Sequence, residues 1–221
     1  MHNYVQGQLS TPQGVSKMKY DILLAGVGGQ GLILLSAVLG EACTANEINI
    51  VTEEQHGLAQ RSGSITAHVR IGDVYSPMIS YGEADLIIAM EAMEALRNIE
   101  FLKQDGVIVM NTNLMHPVIE TNKLVEQRLQ NLQYITFDNI LKPLKKVTKR
   151  IIILDAKTLA LQAGNARTEN IVLLGASSKL QEFPLTRDQL IVAVKQIVPS
   201  KTIDVNIKAF ELGEKNKNNL S

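Results

Sequence analysis

The chain carries one cysteine, no tryptophan and only 4% aromatic residues among 221. A lone thiol, Cys43, excludes a disulfide framework, a four-thiolate zinc site and an iron–sulfur cluster ligated by this chain alone. Such thin cysteine usage fits a reducing compartment, so a cytoplasmic location is the expectation. Charge of one sign is also missing: 22 Lys and Arg balance 22 Asp and Glu, which leaves no overall electrostatic footprint for nucleic acid or an anionic membrane. No apolar run reaches the roughly 18 residues that span a bilayer, and residues 1–17 have no apolar stretch of the kind a signal peptide needs. What remains is 45% apolar and 20% charged, the mix of a globular protein with ample core for its length.

Residues 1–17 follow neither helical nor strand periodicity and read as a mobile extension ahead of a domain over 18–213, with 214–221 a frayed polar tail. From Tyr20 the pattern is continuously apolar to Ala25, then a glycine-rich turn, then Leu32, Leu35, Leu39 and Ala42 at helical spacing, then a second strand over 48–52. This is a Rossmann-like first βαβ, whose crossover is right-handed. Residues 53–63 read as a loop. The alternation of Ser64 to Ile71 predicts a strand that Gly72-Asp73 turns back into Val74-Tyr75 as a hairpin. Apolar strands follow over 86–90, 106–110 and 151–154, with helical patterns over 91–99 and 118–132. The last third reads as helices: Ala156 to Ala163 ended by Gly164, then 168–180, then one opened by the Thr186–Gln189 capping box and stopped by Pro199, and a short one over 206–213. The basic stretch 141–149, interrupted by Pro143, carries no motif. The fold class is therefore α/β: one three-layer domain with a mainly parallel sheet and an antiparallel hairpin.

Gly26, Gly28 and Gly31 satisfy G-x-G-x-x-G between a strand and a helix, where main-chain N–H groups and the helix dipole attract phosphate. That makes Gly26, Gly28, Gly29, Gln30 and Gly31 candidate cofactor-binding residues. The acidic partner of a dinucleotide fingerprint belongs about 20 residues on. Glu53 and Glu54 stand 22 and 23 past Gly31, somewhat too far. Two readings stay open: a free-standing NAD(P)-dependent Rossmann dehydrogenase, or a turn whose small residues only let helix and strand pack.

The run from Glu53 to Ser64 is unusually polar for the carboxyl end of an open parallel sheet, where such folds place ligands. His56, Gln60 and Arg61 are its donors. Together with the glycine turn, His56-Gly-Leu-Ala-Gln-Arg-Ser-Gly-Ser64, Val74-Tyr-Ser-Pro77, Gly82-Glu-Ala-Asp85 and Glu94-Ala-Leu-Arg97 resemble the gamma-type subunit of 2-oxoacid:ferredoxin oxidoreductases. Within that family the chain is most similar to the small (beta) subunit of the indolepyruvate branch, over Lys19 to Gly213. It departs from that branch at Ser62, where a glycine is usual, and it lacks a Gly-Asp-Gly diphosphate motif, since Val74 follows Gly72-Asp73.

The resemblance implies a non-autonomous subunit in an enzyme that oxidatively decarboxylates a 2-oxoacid, an aryl pyruvate in this branch, to acyl-coenzyme A with electrons passing to ferredoxin. Thiamine diphosphate and iron–sulfur clusters then belong to a large partner subunit and coenzyme A to the complex, with none bound by this chain alone; separately, an exposed partner face makes a homodimer of the isolated chain an expectation. His56 and Arg61 are then candidate catalytic residues completing the partner's site, and Gln60 joins the candidate cofactor contacts. Arg61 reads equally as an anion contact or as an interface ion pair, and His56 and Gln60 as groups that fix the loop. A His56–His68 metal pair lacks a third ligand, so no metal site is expected. Cys43 reads as a small core residue, and Glu83 and Asp85 as caps of the following strand. A purely structural scaffold is the remaining reading.

Overall fold

The computed structural model describes residues 18–56, 63–114 and 135–216. The expected extension over 1–17, the helix over 118–132, and Gln60 and Arg61 lie outside the described residues. Six strands, β1 (Lys19–Val27), β2 (Ile50–His56), β3 (Ser64–Gly72), β4 (Ala84–Ala89), β5 (Leu102–Asn111) and β6 (Ile151–Leu154), form one sheet in the order β2-β3-β1-β4-β5-β6. β1, β4, β5 and β6 run parallel, and β3 is antiparallel to both its neighbours, β1 and β2. The apolar runs alternate between two cores, as a sheet covered on both faces demands. Ile22, Leu24, Leu86, Ile88, Val107 and Val109 face one core, while Leu23, Ile87, Ile108 and Met110 face the other.

Helices α1 (Leu32–Thr44), α4 (Ala156–Ala163), α5 (Glu169–Ser177), α6 (Arg187–Ile197) and α7 (Ile203–Lys215) cover the first face. α2 (Ala92–Arg97) and α3 (Phe137–Val147) cover the second. The capping box of α6 forms as its spacing foretold, Thr186 accepting from the Gln189 N–H while Gln189 reaches back to Thr186. α3, which contains Pro143 and the motif-free basic stretch, is capped in the same way by Thr136 and Asn139.

The first βαβ differs from the simple unit: β3 lies between β1 and β2. β2 also runs later than expected, so residues 53–56 are strand rather than loop. Their polarity suits an edge strand, with Thr52, Glu53 and Gln55 exposed. The Gly72-Asp73 hairpin does not form. β3 ends at Gly72 with φ 98°, so close to β1 that a Cβ there would stand 1.7 Å from the Met18 carbonyl oxygen. The chain beyond is claimed by Arg70, whose Nη1 donates to the carbonyls of Ser76 at 3.0 Å and Met78 at 2.8 Å. Those bonds capture the residues as a strap instead of a strand. The antiparallel hairpin of this sheet is β2–β3.

The tail is also shorter than expected, because α7 continues to Lys215 and Glu214 accepts from Arg187 Nε at 3.0 Å. Nor do Glu83 and Asp85 cap their own strand: Asp85 accepts from the Asp21 N–H at 2.7 Å and binds Lys103, and Glu83 binds Lys19 at 2.6 Å. They tie β4 to β1 and β5.

α5 and α7 cross at paired glycines. A Cβ on Gly175 would lie 2.0 Å from the Phe210 oxygen, and one on Gly213 would lie 2.0 Å from the Val172 oxygen. Backbone cannot yield as a flexible side chain can. Gly175→Ala therefore costs about 3 kcal/mol through overpacking, read as a lowered urea midpoint, whereas Gly40→Ala, with open space around its Cβ, does not.

Candidate functional site

The chain leaves β1 toward β2 on one side and returns to β4 on the other, with α1 and α2 on opposite faces. That makes the carboxyl end of β1 and β4 the point where the winding reverses, the place open α/β sheets leave a crevice. A cleft of about 520 Å³ opens there, lined by Gly29, Gln30, Gly31, Leu34, Met90 and Asn113 on the strand side and by residues 166–170 on the other. Its volume is that of a small-molecule site.

The glycines divide their labour. Gly26 is a packing glycine, since a Cβ would meet Gln30 Oε1 at 2.7 Å and Leu32 Cδ1 at 2.8 Å. Gly29 (φ 93°) and Gly31 (φ 78°) take backbone conformations that side chains resist. Gly29 has nothing within 4 Å of where its Cβ would be, so a ligand can approach its backbone closely. Gln30 folds back and accepts from the Val27 N–H at 2.8 Å, and Asn170 Nδ2 donates to the Gly31 carbonyl at 3.0 Å. Gly31 begins α1 without any side-chain cap, so first-turn N–H groups of a 13-residue helix stay available on the glycine side of the cleft.

The opposite wall was not foreseen from sequence. Asn111, fully buried at the end of β5, accepts from the Ala156 N–H at 3.1 Å and donates to Glu169 Oε2 at 2.7 Å. Burial raises the Glu169 carboxyl above its ordinary range, against the pull of Asn111 and Lys157. Arg167 is exposed at the rim. The signal was local: polar Asn111-Thr-Asn113 directly follow an apolar strand, and Arg167-Thr-Glu-Asn170 open a helix.

The polar second motif borders the same edge of the sheet. His56 ends β2 opposite Ile65, although nothing is described of its side chain, and Ser64 pairs with Val27. The Gly28 N–H donates to the Gly63 carbonyl at 3.1 Å. Ser64 Oγ donates to Glu94 Oε2 at 2.5 Å, and Glu94 in turn faces Arg97 at 3.6 Å. The Glu94–Arg97 motif thus anchors the flank of the His56–Ser64 segment.

Sequence reasoning also missed a buried ion pair in the sheet. Asp21 and Arg70 are register partners on β1 and β3, joined at 2.9 Å and 3.1 Å, with Asp21 wholly buried and Arg70 9% exposed. Beside it His68 is fully buried. Its Nδ1 accepts from the Ile79 N–H at 3.2 Å, so Nε2 carries the hydrogen, without a hydrogen-bond partner among the described residues. Burial first, then Arg70, lowers the His68 pKa from its ordinary 6.5. Cys43 is buried and its thiol pushed up to about 11, an inert core group. Among the described residues no group of three His, Cys, Asp or Glu could hold a metal ion.

The dinucleotide reading fails on topology. A ribose-binding acid works from a strand next to β1, and here β3 occupies that position. Glu53 and Glu54 stand on β2, two strand spacings or roughly 9.6 Å away. What the fold and cleft define is an open α/β domain with a cleft at its switch point, from which Glu53 and Glu54 stand two strands away. Residues 21–215 match the family model for pyruvate ferredoxin/flavodoxin oxidoreductase, and the chain belongs to that family. It is 40% identical over 199 residues to indolepyruvate oxidoreductase subunit IorB of Thermococcus kodakarensis, covering 89% of this chain and 95% of that protein. The same subunit of Methanothermobacter thermautotrophicus is 37% identical, with 89% and 96% covered. The keto/oxoacid ferredoxin oxidoreductase gamma subunit of Geobacter sulfurreducens shares the fold, with TM-score 0.61, 23% identity, and 88% and 95% covered. A 2-oxoglutarate:ferredoxin oxidoreductase of Magnetococcus marinus, solved with 2-oxoglutarate, coenzyme A and succinyl-CoA, aligns at TM-score 0.64 and 18% identity, over 89% of this chain and 30% of that one. The chain is a subunit of a 2-oxoacid:ferredoxin oxidoreductase, and the free-standing dehydrogenase is not supported.

Arg70→Met leaves Asp21 charged and buried, so it costs about 4 kcal/mol, most of it restored in the Asp21→Leu/Arg70→Met pair; urea unfolding measures both. Acidification has a definite sign at His68. The folded chain refuses a proton that the unfolded chain accepts below pH 6.5, so stability held above 6.5 is lost as pH falls through it. His68→Phe flattens the urea midpoint between pH 7 and 5.

Proposed function

We propose that this chain is the small subunit of an indolepyruvate ferredoxin oxidoreductase, completing a site whose thiamine diphosphate and iron–sulfur clusters reside on a large partner subunit in the cytoplasm. The observation that carries the substrate is a step in similarity. Identity is 36–40% to indolepyruvate oxidoreductase subunits but 24–27% to 2-oxoglutarate synthase and pyruvate/ketoisovalerate gamma subunits. A single thiol makes reliance on a partner for electron relay a necessity.

In this reading the domain over 18–213 contributes binding and orientation. The glycine turn (Gly26, Gly28, Gly29, Gln30, Gly31) and the first-turn N–H groups of α1 hold an anionic group, with Arg167 at the rim supplying a full positive charge. Coenzyme A, whose thiol takes up the acyl group, offers such phosphates. His56, Gln60 and Arg61, which end or follow β2 in the sequence, complete the partner's reacting centre, where Arg61 pairs with the substrate carboxylate or a coenzyme A phosphate.

The test is co-expression with the large subunit from the same host. The complex oxidises indolepyruvate in preference to 2-oxoglutarate, while the isolated chain is inactive and binds no reduced nicotinamide. Hydride transfer by the isolated chain sinks the proposal. Arg61→Ala lowers turnover of the complex more than tenfold, about 1.4 kcal/mol of transition-state stabilisation, whereas a scaffold role leaves it unchanged. Arg167→Ala raises the KM for coenzyme A about tenfold, as loss of one charge-assisted bond requires, with kcat unaltered.

A further inference from the structure

Far from the cleft, at the amino end of the parallel strands, the chain gathers the charge its overall balance conceals. Residues 142–150 hold five cations and no acid: Lys142, Lys145, Lys146, Lys149 and Arg150. Arg150 is engaged by Glu182 and donates to the Asp105 carbonyl at 3.1 Å. The four lysines are exposed, and among the described residues none has a carboxylate within ion-pair distance. Lys145, Lys146 and Lys149 line one groove of about 320 Å³ with Arg150 and Asp105, and Lys142 stands one turn before Lys146 on α3. Val147, 47% exposed, sits among them as an apolar centre. The last turn of α3 accounts for two of these lysines as partners of the helix dipole, but not for all four.

We propose that this lysine-rimmed groove is the docking surface for ferredoxin, the small acidic electron carrier that the family description pairs with these enzymes. This rests on the oxidoreductase reading above. Charge complementarity selects the occupant: a positive ring around one apolar residue suits a weak, fast-exchanging encounter with an acidic face. A second copy of the chain would bring like charges together. Position agrees as well. Asp105 is near the start of β5 and Asn111, two residues before the cleft-lining Asn113, is its last residue, six positions on and roughly 20 Å at strand rise, so the groove and the cleft lie at opposite ends of the parallel strands. A relay of clusters on the partner carries electrons away from the carbon chemistry, and an exit near this edge leaves the cleft free for substrate.

The test uses the reconstituted complex with Lys145→Glu/Lys146→Glu, and separately Lys142→Ala/Lys149→Ala. Both read indolepyruvate-driven reduction of ferredoxin against saturating methyl viologen, and equilibrium binding of oxidised ferredoxin to the complex. The charge reversal raises the ferredoxin KM and Kd at least about tenfold at low ionic strength and flattens their salt dependence. Viologen turnover and subunit assembly stay unchanged, and the alanine pair gives the same pattern at smaller size. Unchanged ferredoxin KM and Kd with an active complex overturn the docking assignment alone. Loss of subunit assembly overturns it too, making the groove a seat for the large subunit. A wild-type complex that reduces neither acceptor overturns the oxidoreductase reading itself.

Discussion

The antiparallel pairing of β3 with β1 constrains what the carboxyl edge of the sheet can bind. Its centre is the Asp21–Arg70 pair, two charges in register inside the sheet, expensive to desolvate and tolerable because the guanidinium makes four hydrogen bonds, two of them to the Asp21 carboxylate. Once β3 holds that place, β2 is pushed outward and carries Glu53 and Glu54 with it. The glycine turn then has no fingerprint acid on β3, the strand beside it, whatever its own main-chain N–H groups face. The same arginine holds the strap beyond Gly72, so one side chain sets strand order on one side and loop path on the other.

Seen this way, the fingerprint Gly26-Val-Gly-Gly-Gln-Gly31 is ambiguous for a physical reason. Its turn geometry answers to the helix that follows, and positive φ at Gly29 and Gly31 serves any ligand that approaches the backbone closely. Gly26 is small because Gln30, Leu32 and Met90 crowd it, which has nothing to do with a ligand. Only the neighbouring strand distinguishes a dinucleotide site from another, and strand neighbours are not written in local spacing.

Much of the layered architecture was legible. The continuous apolar runs of β1, β4 and β5, the Thr186 capping box and the glycine ending α4 are all short-range patterns, and each formed. The failures were long-range. The Gly72-Asp73 hairpin was a sound local reading, overturned by Arg70 capturing the Ser76 and Met78 carbonyls and by the backbone of Met18 pressing on Gly72. The polar Glu53–His56 segment reads as a loop until its place at the sheet edge is known. In the cleft, the glycine side was visible as a motif. The Asn111–Glu169 and Asn170–Gly31 bonds were not, because they join residues 58 and 139 positions apart.

That last separation has a temporal meaning. The glycine turn emerges from the ribosome early, with β1, yet its carbonyl at Gly31 waits for Asn170 and its opposite wall for residues 166–170. α5, which supplies Glu169 and Asn170, is itself seated against the Gly213 end of α7. A nascent chain therefore shows a finished sheet edge with no enclosed cleft until nearly all of it has been made, and a carboxy-terminal truncation that spares the whole glycine turn but removes residues from 166 onward would erase the pocket.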